Sequence, residues 1–426
     1  MHIDKNHKLE GLLKRIGVLK WYHFILKYHL PVIWMFQHAN VRRIRRNGKA
    51  NVVFMATNIA LWRYQHLYDS LSEDCRFCLD IIIYPFSTYT ESENRRNMCE
   101  MKRFFNTHNM PSHMLDEDAG RCREIAAKAD VVFYCQPYSL LSDIFGRFAK
   151  YSKLICYFPY SLQALKLDWD YNLPFHNLAW RLYYPSEHHR QIGSSMADNN
   201  GYNIRIVGEP HYDDFTAPVR DNVWKNCDDR KRIIWAPHFR IVENDMFNRA
   251  SFLWTYDVMQ EMAVKYQDRI QIAFKPHPRL YSTLCSLSDW GEQRTADYYR
   301  FWETQPNTQL ETGDFIDLFK TSHALIHDCG SFTSEYMFVK KPCMFLTRDE
   351  FGVRSILDEF GNACLDLHEF GQSKEDITAF IEGVINGKDD LRIEERTRLM
   401  MHYLIPPNNK STAQNTCQDL VSSLFD

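Results

Sequence analysis

Residues 324–335 read ALIHDCGSFTSE. The apolar residues at 324–326 predict a buried strand, and the small and hydroxyl residues that follow predict a turn and the start of a helix. A strand that passes through a small-residue turn into a helix is typical of a parallel sheet with crossover helices. The stretch therefore places this part of the chain in the α/β class.

The same alternation extends in both directions from this stretch. Short apolar runs that end in turn residues predict strands buried on both faces. The predicted strands are 51–56, 79–84, 131–134, 153–157, 182–184, 233–236, 270–274, 324–326 and 343–346. Helical spacing predicts helices over 253–265, 334–340 and 377–385. The strands fall into two sets, so we expect two doubly wound domains that face each other across a cleft.

The length of the chain also favours two domains. A chain of 426 residues with 45% hydrophobic residues exceeds what one core usually serves. A polar stretch over 217–231 separates the two sets of strands and predicts a linker. We expect a first domain over 48–216 and a second over 232–405. Residues 406–426 are expected to form a helix that packs back on the first domain.

The N-terminal segment is basic. Residues 1–49 carry eleven Lys and Arg and two acidic residues, although the net charge of the whole chain is −3. Helical spacing of apolar residues predicts a basic amphipathic helix within residues 1–47. Lys20, Lys27 and Pro31 make the segment too polar to span a membrane. Such a helix suits the anionic surface of the inner leaflet, and the alternative is that it packs on its own domain.

The cysteines and the distribution of charge argue against two kinds of site, a metal site and a nucleic-acid interface. The twelve cysteines have no repeated spacing and predict reduced thiols in a cytosolic protein. Cys75 and Cys78 form a close pair with no second pair or histidine partner, so we predict no metal site. The basic residues lie beside an apolar stripe and not among spaced stacking aromatics, which argues against nucleic-acid binding.

The turn after the predicted strand 324–326 has the chemistry of an anion site. Gly330 permits a tight turn, and the hydroxyls of Ser331, Thr333 and Ser334 can donate hydrogen bonds beside the positive end of a helix dipole. Phosphate oxygens fit this arrangement. The alternative is that Ser331 or Thr333 is simply an N-cap. Glu335 could complete such a cap or bind ribose hydroxyls.

Two further strand ends carry basic residues. Lys275 and His277 follow the strand that ends at 274, and flanking prolines stiffen this loop. His238 and Arg240 follow the strand that ends at 236, and a guanidinium matches phosphate oxygens. Because the carboxyl ends of parallel strands meet at one sheet edge, the three loops predict one diphosphate site. Surface turns with incidental charge are the alternative.

A fourth segment, VGEPHYDD at 207–214, precedes the predicted linker and is expected to line the cleft. In this order the four segments resemble the CDP-glycerol glycerophosphotransferase family of teichoic-acid and capsule polymerases and primases. The family pattern is Gly-x-Pro-x-x-Asp, Ala-Pro-Thr-Trp-Arg, Lys-x-His-Pro, and Thr-Asp-Tyr-Ser-Ser before a helix. The matching residues are Gly208, Pro210, Asp213, Ala236, Pro237, Arg240, Lys275, His277, Pro278, Asp328 and Ser331. The residues that depart from the pattern are His211, His238, Phe239, Cys329 and Gly330.

The resemblance implies a GT-B architecture, with a Rossmann-like acceptor domain over 48–216 and a Rossmann-like nucleotide-donor domain over 232–405. It implies a transferase, peripheral on the cytoplasmic face of the membrane, that works without a cofactor. An acceptor hydroxyl on a surface polymer or glycolipid attacks the β-phosphorus of CDP-glycerol or a related CDP-polyol, and CMP leaves. The implied donor-binding residues are Gly208, Pro237, His238, Arg240, Lys275, His277, Asp328, Gly330, Ser331, Thr333, Ser334 and Glu335.

The segment that carries the family's catalytic base differs in this sequence. Its presumed base lies in a Trp-His-Gly-Thr-Pro segment of the first domain, and the corresponding strand end here reads CYFPYSL at 156–162, without histidine. The candidates nearby in sequence are Tyr160, Asp168, Asp170, His188 and His211. From these and the donor loops, we expect catalytic roles for His277, Tyr160 and His211.

Three other interpretations stay open. A GT-B glycosyltransferase of capsule synthesis would hold a nucleotide sugar in the same pocket. A nucleotide-sugar 2-epimerase has similar domains, but it has no polymer acceptor and no use for a basic N-terminus. A binding subunit that has lost the base would keep the donor pocket alone.

Overall fold

The computed structural model describes residues 18–86, 89–138, 144–145, 149–219, 223–241, 251–388 and 390–426, with side chains from Leu30 onward. The chain divides into two compact units. The first comprises residues 1–161, 168–210 and 406–426, and the second comprises 162–167 and 211–405. The polar stretch 217–231 belongs to the second unit. The chain therefore passes between the units four times.

The first unit is built on a parallel sheet. Its strands are β1 (Ala50–Ala56), β2 (Phe77–Ile83), β3 (Ser112–Met114), β4 (Val131–Tyr134), β5 (Leu154–Tyr157), β6 (Arg181–Tyr184) and β7 (Ile204–Ile206). Their order is β3-β2-β1-β4-β5-β6-β7. Its helices are α1 (Val18–Asn47), α2 (Gln65–Ser72), α3 (Glu91–Thr107), α4 (Ala119–Lys128), α5 (Asp168–Tyr171), α6 (Pro174–Leu178) and α7 (Glu187–Met196).

Strand β1 shows why this sheet is covered on both faces. Val52 and Phe54 enter one hydrophobic core, whereas Val53 and Met55 enter another. Successive side chains of a strand point to opposite faces, so an unbroken apolar run needs helices on both sides. The doubly wound arrangement predicted for this half is confirmed.

The second unit repeats this plan. Its strands are β8 (Lys231–Ala236), β9 (Ile270–Phe274), β10 (Thr308–Leu310), β11 (Ala324–His327), β12 (Cys343–Leu346) and β13 (Glu369–Gly371). They form a parallel sheet in the order β10-β9-β8-β11-β12-β13. Its helices are α8 (Pro210–Thr216), α9 (Phe252–Lys265), α10 (Leu280–Cys285), α11 (Gly291–Thr304), α12 (Ile316–Thr321), α13 (Gly330–Glu335), α14 (Glu350–Ile356), α15 (Glu359–Leu365), α16 (Lys374–Ile385) and α17 (Ile393–Tyr403). In β8, Trp235 enters one core and Ile234 enters the other.

Helix α1 packs on the first unit through part of its surface. Ile44 is buried, and the amides of Gln37 and Asn40 donate to the carbonyls of Leu178 and Ser152. Residues 1–17 lie outside the described part of the chain, and side chains are described only from Leu30. The basic amphipathic helix predicted within residues 1–47 therefore stays a prediction over most of its length. In the described part of the chain, no helix combines the length and apolar character needed to cross a bilayer.

The last helix, α18 (Thr412–Leu424), belongs to the first unit. Leu420 and Leu424 are fully buried in the core that also holds Phe54. The Thr412 hydroxyl donates to the carbonyl of Glu209 at 2.9 Å. The C-terminal segment is therefore an integral part of the unit that contains β1 to β7.

All nine strands predicted from the sequence are present, with ends that differ by at most two residues. The helix predicted to begin at 334 instead begins at Gly330 and continues into a 3-10 turn over Tyr336–Val339. The difference arises because the glycine and hydroxyl residues adopt helical geometry and do not form an extended turn.

Candidate functional site

Three loops leave the carboxyl edge of the second sheet side by side. Strands β9, β8 and β11 are neighbours and run parallel, so their ends meet at one edge. The loops begin at Lys275, Pro237 and Asp328. The backbone joins two of them, because the N–H of His277 donates to the carbonyl of Pro237 at 3.0 Å. The structure thus brings together the three basic or hydroxyl-rich segments that the sequence singled out.

Asp328 fixes the geometry of this edge. One carboxylate oxygen accepts from the backbone N–H of His238 at 2.6 Å. The other accepts from the N–H and the hydroxyl of Ser251, at 2.6 and 2.8 Å. Burial raises the pKa of Asp328 to about 6, and these hydrogen bonds oppose that rise. The side chain is buried, and its hydrogen bonds hold the segments of His238 and Ser251 in place.

A basic aromatic cluster, here called the Phe239 cluster, surrounds the ring of Phe239. Arg279 places its guanidinium carbon 4.4 Å from that ring centroid, and Arg240 places its own at 5.7 Å. The imidazoles of His277 and His238 lie 4.4 and 4.6 Å from the same centroid. The cluster therefore concentrates two fixed positive charges and two imidazoles at one sheet edge.

The hydrogen bonds of His277 define its protonation. Its Nδ1 accepts from the backbone N–H of Arg279 at 3.1 Å, which leaves Nε2 as the donor of a neutral ring. Burial, followed by the charges of Arg279 and Arg240, lowers the pKa of His277 to about 3. His238 is arranged in the same way, because its Nδ1 accepts from the N–H of Arg240 at 3.3 Å. His277 is thus an uncharged hydrogen-bond donor at neutral pH.

Lys275 is placed differently from the other basic residues. It is 8% exposed, and its ammonium donates to the carbonyl of Gly313 at 2.6 Å. Burial lowers its pKa, whereas Glu311 and Asp314 act in the opposite direction. The ammonium holds the loop after β10 and adds positive potential at this edge of the sheet.

Helix α13 starts directly at this edge. Cys329 is its N-cap residue, and no side chain caps the helix among the residues that the structure describes. The N-cap alternative for Ser331 and Thr333 is therefore wrong. The buried hydroxyls of Thr333 and Ser334 donate back to the carbonyls of Cys329 and Ser331, at 3.1 and 3.0 Å. Ser331 is partly exposed in the first turn, where backbone N–H groups have no helical acceptor.

Glu335, at the end of α13, lies in a buried contact with His211. The Nδ1 of His211 is 3.6 Å from a carboxylate oxygen of Glu335, and both side chains are buried. The ring of Phe315 lies 5.3 Å from that of His211. Glu335 therefore does not complete an N-cap, and the pair braces the C-terminal end of α13.

Gly208 has a backbone role in the first unit. Its φ is +109°, and a Cβ at this position would lie 2.6 Å from Pro406 Cβ and from Thr412 Oγ1. An L side chain rarely adopts that φ, so glycine is required by both conformation and space. The glycine lets the backbone lie close to Pro406 and to Thr412, the first residue of α18.

Tyr160 belongs to the carboxyl edge of the first sheet. It is partly exposed, and its backbone N–H donates to the hydroxyl of Tyr157 at 3.2 Å. Its ring lies 5.8 Å from that of Tyr138. Tyr138 in turn donates its hydroxyl hydrogen to a carboxylate oxygen of Asp170 at 3.3 Å. This tyrosine cluster lies at the end of β5, the strand end that the sequence analysis matched to the family's Trp-His-Gly-Thr-Pro segment.

The sequence interpretation missed three residues of the second-unit edge. Arg279 and Phe239 lay within the quoted loops and were given no role, although their positions five and three residues past a strand end were a usable signal. Ser251 precedes Asp328 by 77 residues and has no sequence signal, since only the fold joins them. Within the described ranges, no group of three or more His, Cys, Asp or Glu could hold a metal ion.

Comparison with solved structures shows what the whole fold is similar to. The chain matches a variant of the wall teichoic acid polymerase TagF at 13% identity and a TM-score of 0.59, covering 97% of this chain and 99% of the other. The same polymerase variant with CDPG matches at 12% identity and a TM-score of 0.57, covering 97% and 98%. UDP-GlcNAc 2-epimerase from Neisseria meningitidis matches at 13% identity and a TM-score of 0.53, covering 88% and 100%. These likenesses confirm the predicted GT-B fold.

Comparison with protein families identifies the sequence group. A search of curated proteins found no match. The model of the CDP-glycerol:poly(glycerophosphate) glycerophosphotransferase family matches residues 170–402. That range contains all four segments of the family pattern and the whole Phe239 cluster. It confirms the resemblance that the ordered motifs indicated. The chain therefore belongs to the CDP-glycerol:poly(glycerophosphate) glycerophosphotransferase family, and it is a transferase.

Proposed function

We propose that this enzyme transfers a polyol phosphate from a CDP-activated donor to a hydroxyl of a cell-surface polymer or glycolipid, and that the Phe239 cluster holds the donor's diphosphate. The observation that carries the proposal is the convergence of two adjacent strand ends, those of β8 and β9, on two guanidiniums and two imidazoles. A diphosphate needs fixed positive charge and N–H donors, which this edge supplies.

The arrangement of the edge suits phosphoryl transfer. The acceptor oxygen forms a bond to the β-phosphorus, the bond from that phosphorus to the bridging oxygen breaks, and CMP leaves with the electron pair. Arg240 and Arg279 balance the negative charge that builds on the leaving CMP. The neutral ring of His277 donates a hydrogen bond without competing for the acceptor's proton. The first turn of α13 adds backbone N–H donors.

The comparisons support the same donor class. The family is described by transfer from CDP-glycerol, and a TagF structure of the same fold contains CDPG. The epimerase of similar fold is bound to UDP-GlcNAc, so the fold alone also fits a nucleotide sugar. The donor test must therefore compare the two nucleotide classes.

The test measures which nucleotide is released. Purified full-length enzyme with a glycerol-phosphate oligomer as acceptor is expected to release CMP from CDP-glycerol or CDP-ribitol. Arg279→Gln should lower kcat/KM for that donor about 10- to 100-fold, because a charge-assisted contact to phosphate is lost. Arg294→Gln is the matched control, since its guanidinium carbon also lies 4.4 Å from a ring centroid, that of Trp290. Release of UDP from UDP-sugars, or equal effects of both variants, contradicts the proposal.

The acceptor side is proposed to work at the cytoplasmic surface of an anionic membrane. Met35 and Phe36 of α1 are 60% and 50% exposed, and adjacent exposed apolar side chains on a helix can enter a lipid interface. Arg42 and Arg46, exposed farther along the same helix, supply positive charge for anionic lipid headgroups. A lipid-linked acceptor would thus be concentrated where the enzyme binds.

A further inference from the structure

Helix α17 of the second unit presents apolar side chains on its outer face. Ile393 and Met401 are 52% and 66% exposed. Thr397 lies between them at a spacing of four residues, which places all three on one face of the helix. Its hydroxyl donates to the carbonyl of Ile393 at 2.8 Å and is therefore already satisfied. Ile405, two residues after the helix, continues the spacing and is 43% exposed. These four residues are here called the α17 stripe.

The opposite face of α17 holds the helix firmly on its own unit. Leu399 lies in the hydrophobic core that also contains Phe360. The guanidinium of Arg396 donates to the carbonyl of Leu367 at 2.9 Å and forms an ion pair with Asp390. Because the helix is fixed before any partner binds, little conformational freedom is lost when the α17 stripe is covered.

The charges beside the α17 stripe change sign along the helix. Glu394 and Arg398 are both exposed and lie one turn apart, with the acidic residue nearer the N-terminus. A glutamate four residues before an arginine commonly forms an ion pair within its own helix. Neither side chain forms an ion pair with any residue that the structure describes. Both charges are therefore open to a partner.

We infer that two copies of this chain associate through the α17 stripe, with the two helices antiparallel about a two-fold axis near Thr397. Such an axis exchanges positions that lie equally far from Thr397, so Ile393 packs against the partner's Met401. Glu394 then comes within about one helical turn of the partner's Arg398. A parallel pair would instead bring like charges together, so the charge pattern selects the antiparallel arrangement.

A second copy fits this surface better than a membrane does. Glu394 and Glu395 are exposed beside the α17 stripe, and anionic headgroups repel carboxylates. The helix has 11 residues and is about 16 Å long, so the contact is smaller than the roughly 800 Å² per partner of a standard interface. We therefore expect weak association that depends on concentration. This inference does not depend on the donor or on the transfer reaction.

Sedimentation velocity of the full-length protein, without lipid, tests the inference. Wild type should pass from monomer to dimer as its concentration rises from about 1 to 100 μM. Met401→Glu places a charge within the α17 stripe and should raise the dissociation constant at least about tenfold. Val264→Glu is the matched control, because Val264 is 57% exposed on α9 and lies outside the stripe. The control should dimerise like wild type.

Charge reversal provides a readout that a folding defect would not imitate. Glu394→Arg and Arg398→Glu each bring like charges together across the axis, so each alone should weaken association about tenfold. A mixture of the two variants should form a heterodimer, because every facing pair then has opposite charges. The double variant, Glu394→Arg with Arg398→Glu, should dimerise like wild type. A wild type that stays monomeric, a dimer that survives Met401→Glu, or a double variant as weak as the single ones overturns the inference.

Discussion

Arg63 and Glu209 show how one buried pair shapes the carboxyl edge of the first unit's sheet. Their side chains form an ion pair in which each is 2% exposed. Arg63 also donates to the carbonyl of Pro159 at 2.6 Å, directly before Tyr160. The pair therefore joins the loop after β5 to the segment that follows β7.

Removing one partner of this pair should be costly. Arg63→Met leaves the Glu209 carboxylate buried without its cation, which is expected to destabilise the protein by about 3–5 kcal/mol. Arg95→Met is the matched control, because Arg95 pairs with Asp116 at the surface and should cost less than about 1 kcal/mol. Urea denaturation of both variants measures the difference. Equal losses would contradict a special role for the buried pair.

At the residue scale, the sequence predicted which side chains could bind phosphate. It did not predict their protonation states or their hydrogen-bond partners. His277 and Arg240 were predicted as phosphate ligands from their place after buried strands, and the structure brings them to one ring. The neutral state of His277 depends on burial and on two nearby guanidiniums, which a linear sequence does not show. The inward hydroxyls of Thr333 and Ser334 likewise depend on where the helix begins.

At the element scale, the strands that the sequence did not predict share one property. They are β3, β7, β10 and β13, each of three residues, and each lies at an edge of its sheet. A central strand is buried on both faces and reads as a continuous apolar run. An edge strand pairs on one side and is short, so its sequence resembles a loop. The apolar sequence pattern therefore predicted the central strands of both sheets and missed the edge strands.

Helix α1 is the element whose exposed surface can be tested directly. Met35→Ser combined with Phe36→Ser should weaken binding to vesicles containing anionic lipid about tenfold or more, since two exposed apolar side chains no longer enter the interface. Phe351→Ser is the control, because Phe351 is 85% exposed on α14 in the second unit. Vesicle co-sedimentation measures the change. Loss of binding in the control, or none in the α1 variant, would refute the membrane proposal.

At the scale of the whole molecule, the chain does not divide into two consecutive halves. Residues 162–167, between Tyr160 and Asp168, belong to the second unit, where the hydroxyl of Ser334 donates to the carbonyl of Leu162 at 3.4 Å. Residues 406–426 return to the first unit. Composition favoured two domains, but a short excursion of six residues carries no compositional signal that a sequence reader could use.

Helix α18 should stabilise the first unit from the far end of the chain. Leu420→Ala removes a fully buried side chain and is expected to cost about 2–5 kcal/mol. Leu391→Ala, at a position that is 86% exposed, should stay within about 0.5 kcal/mol of wild type. Differential scanning calorimetry of the two variants gives the comparison. A Leu420→Ala protein that melts like wild type would show that α18 is dispensable.

The late position of α18 in the chain has a consequence for synthesis. Every residue of the second unit leaves the ribosome before Leu420 and Leu424 can enter the core around Phe54. The first unit is begun early, and its core is completed only after the whole second unit has been synthesised. A chain interrupted before residue 412 would carry a whole second unit beside an unfinished first one. Termination before α18 is therefore expected to damage the first unit and to leave the second unit, with its Phe239 cluster, complete.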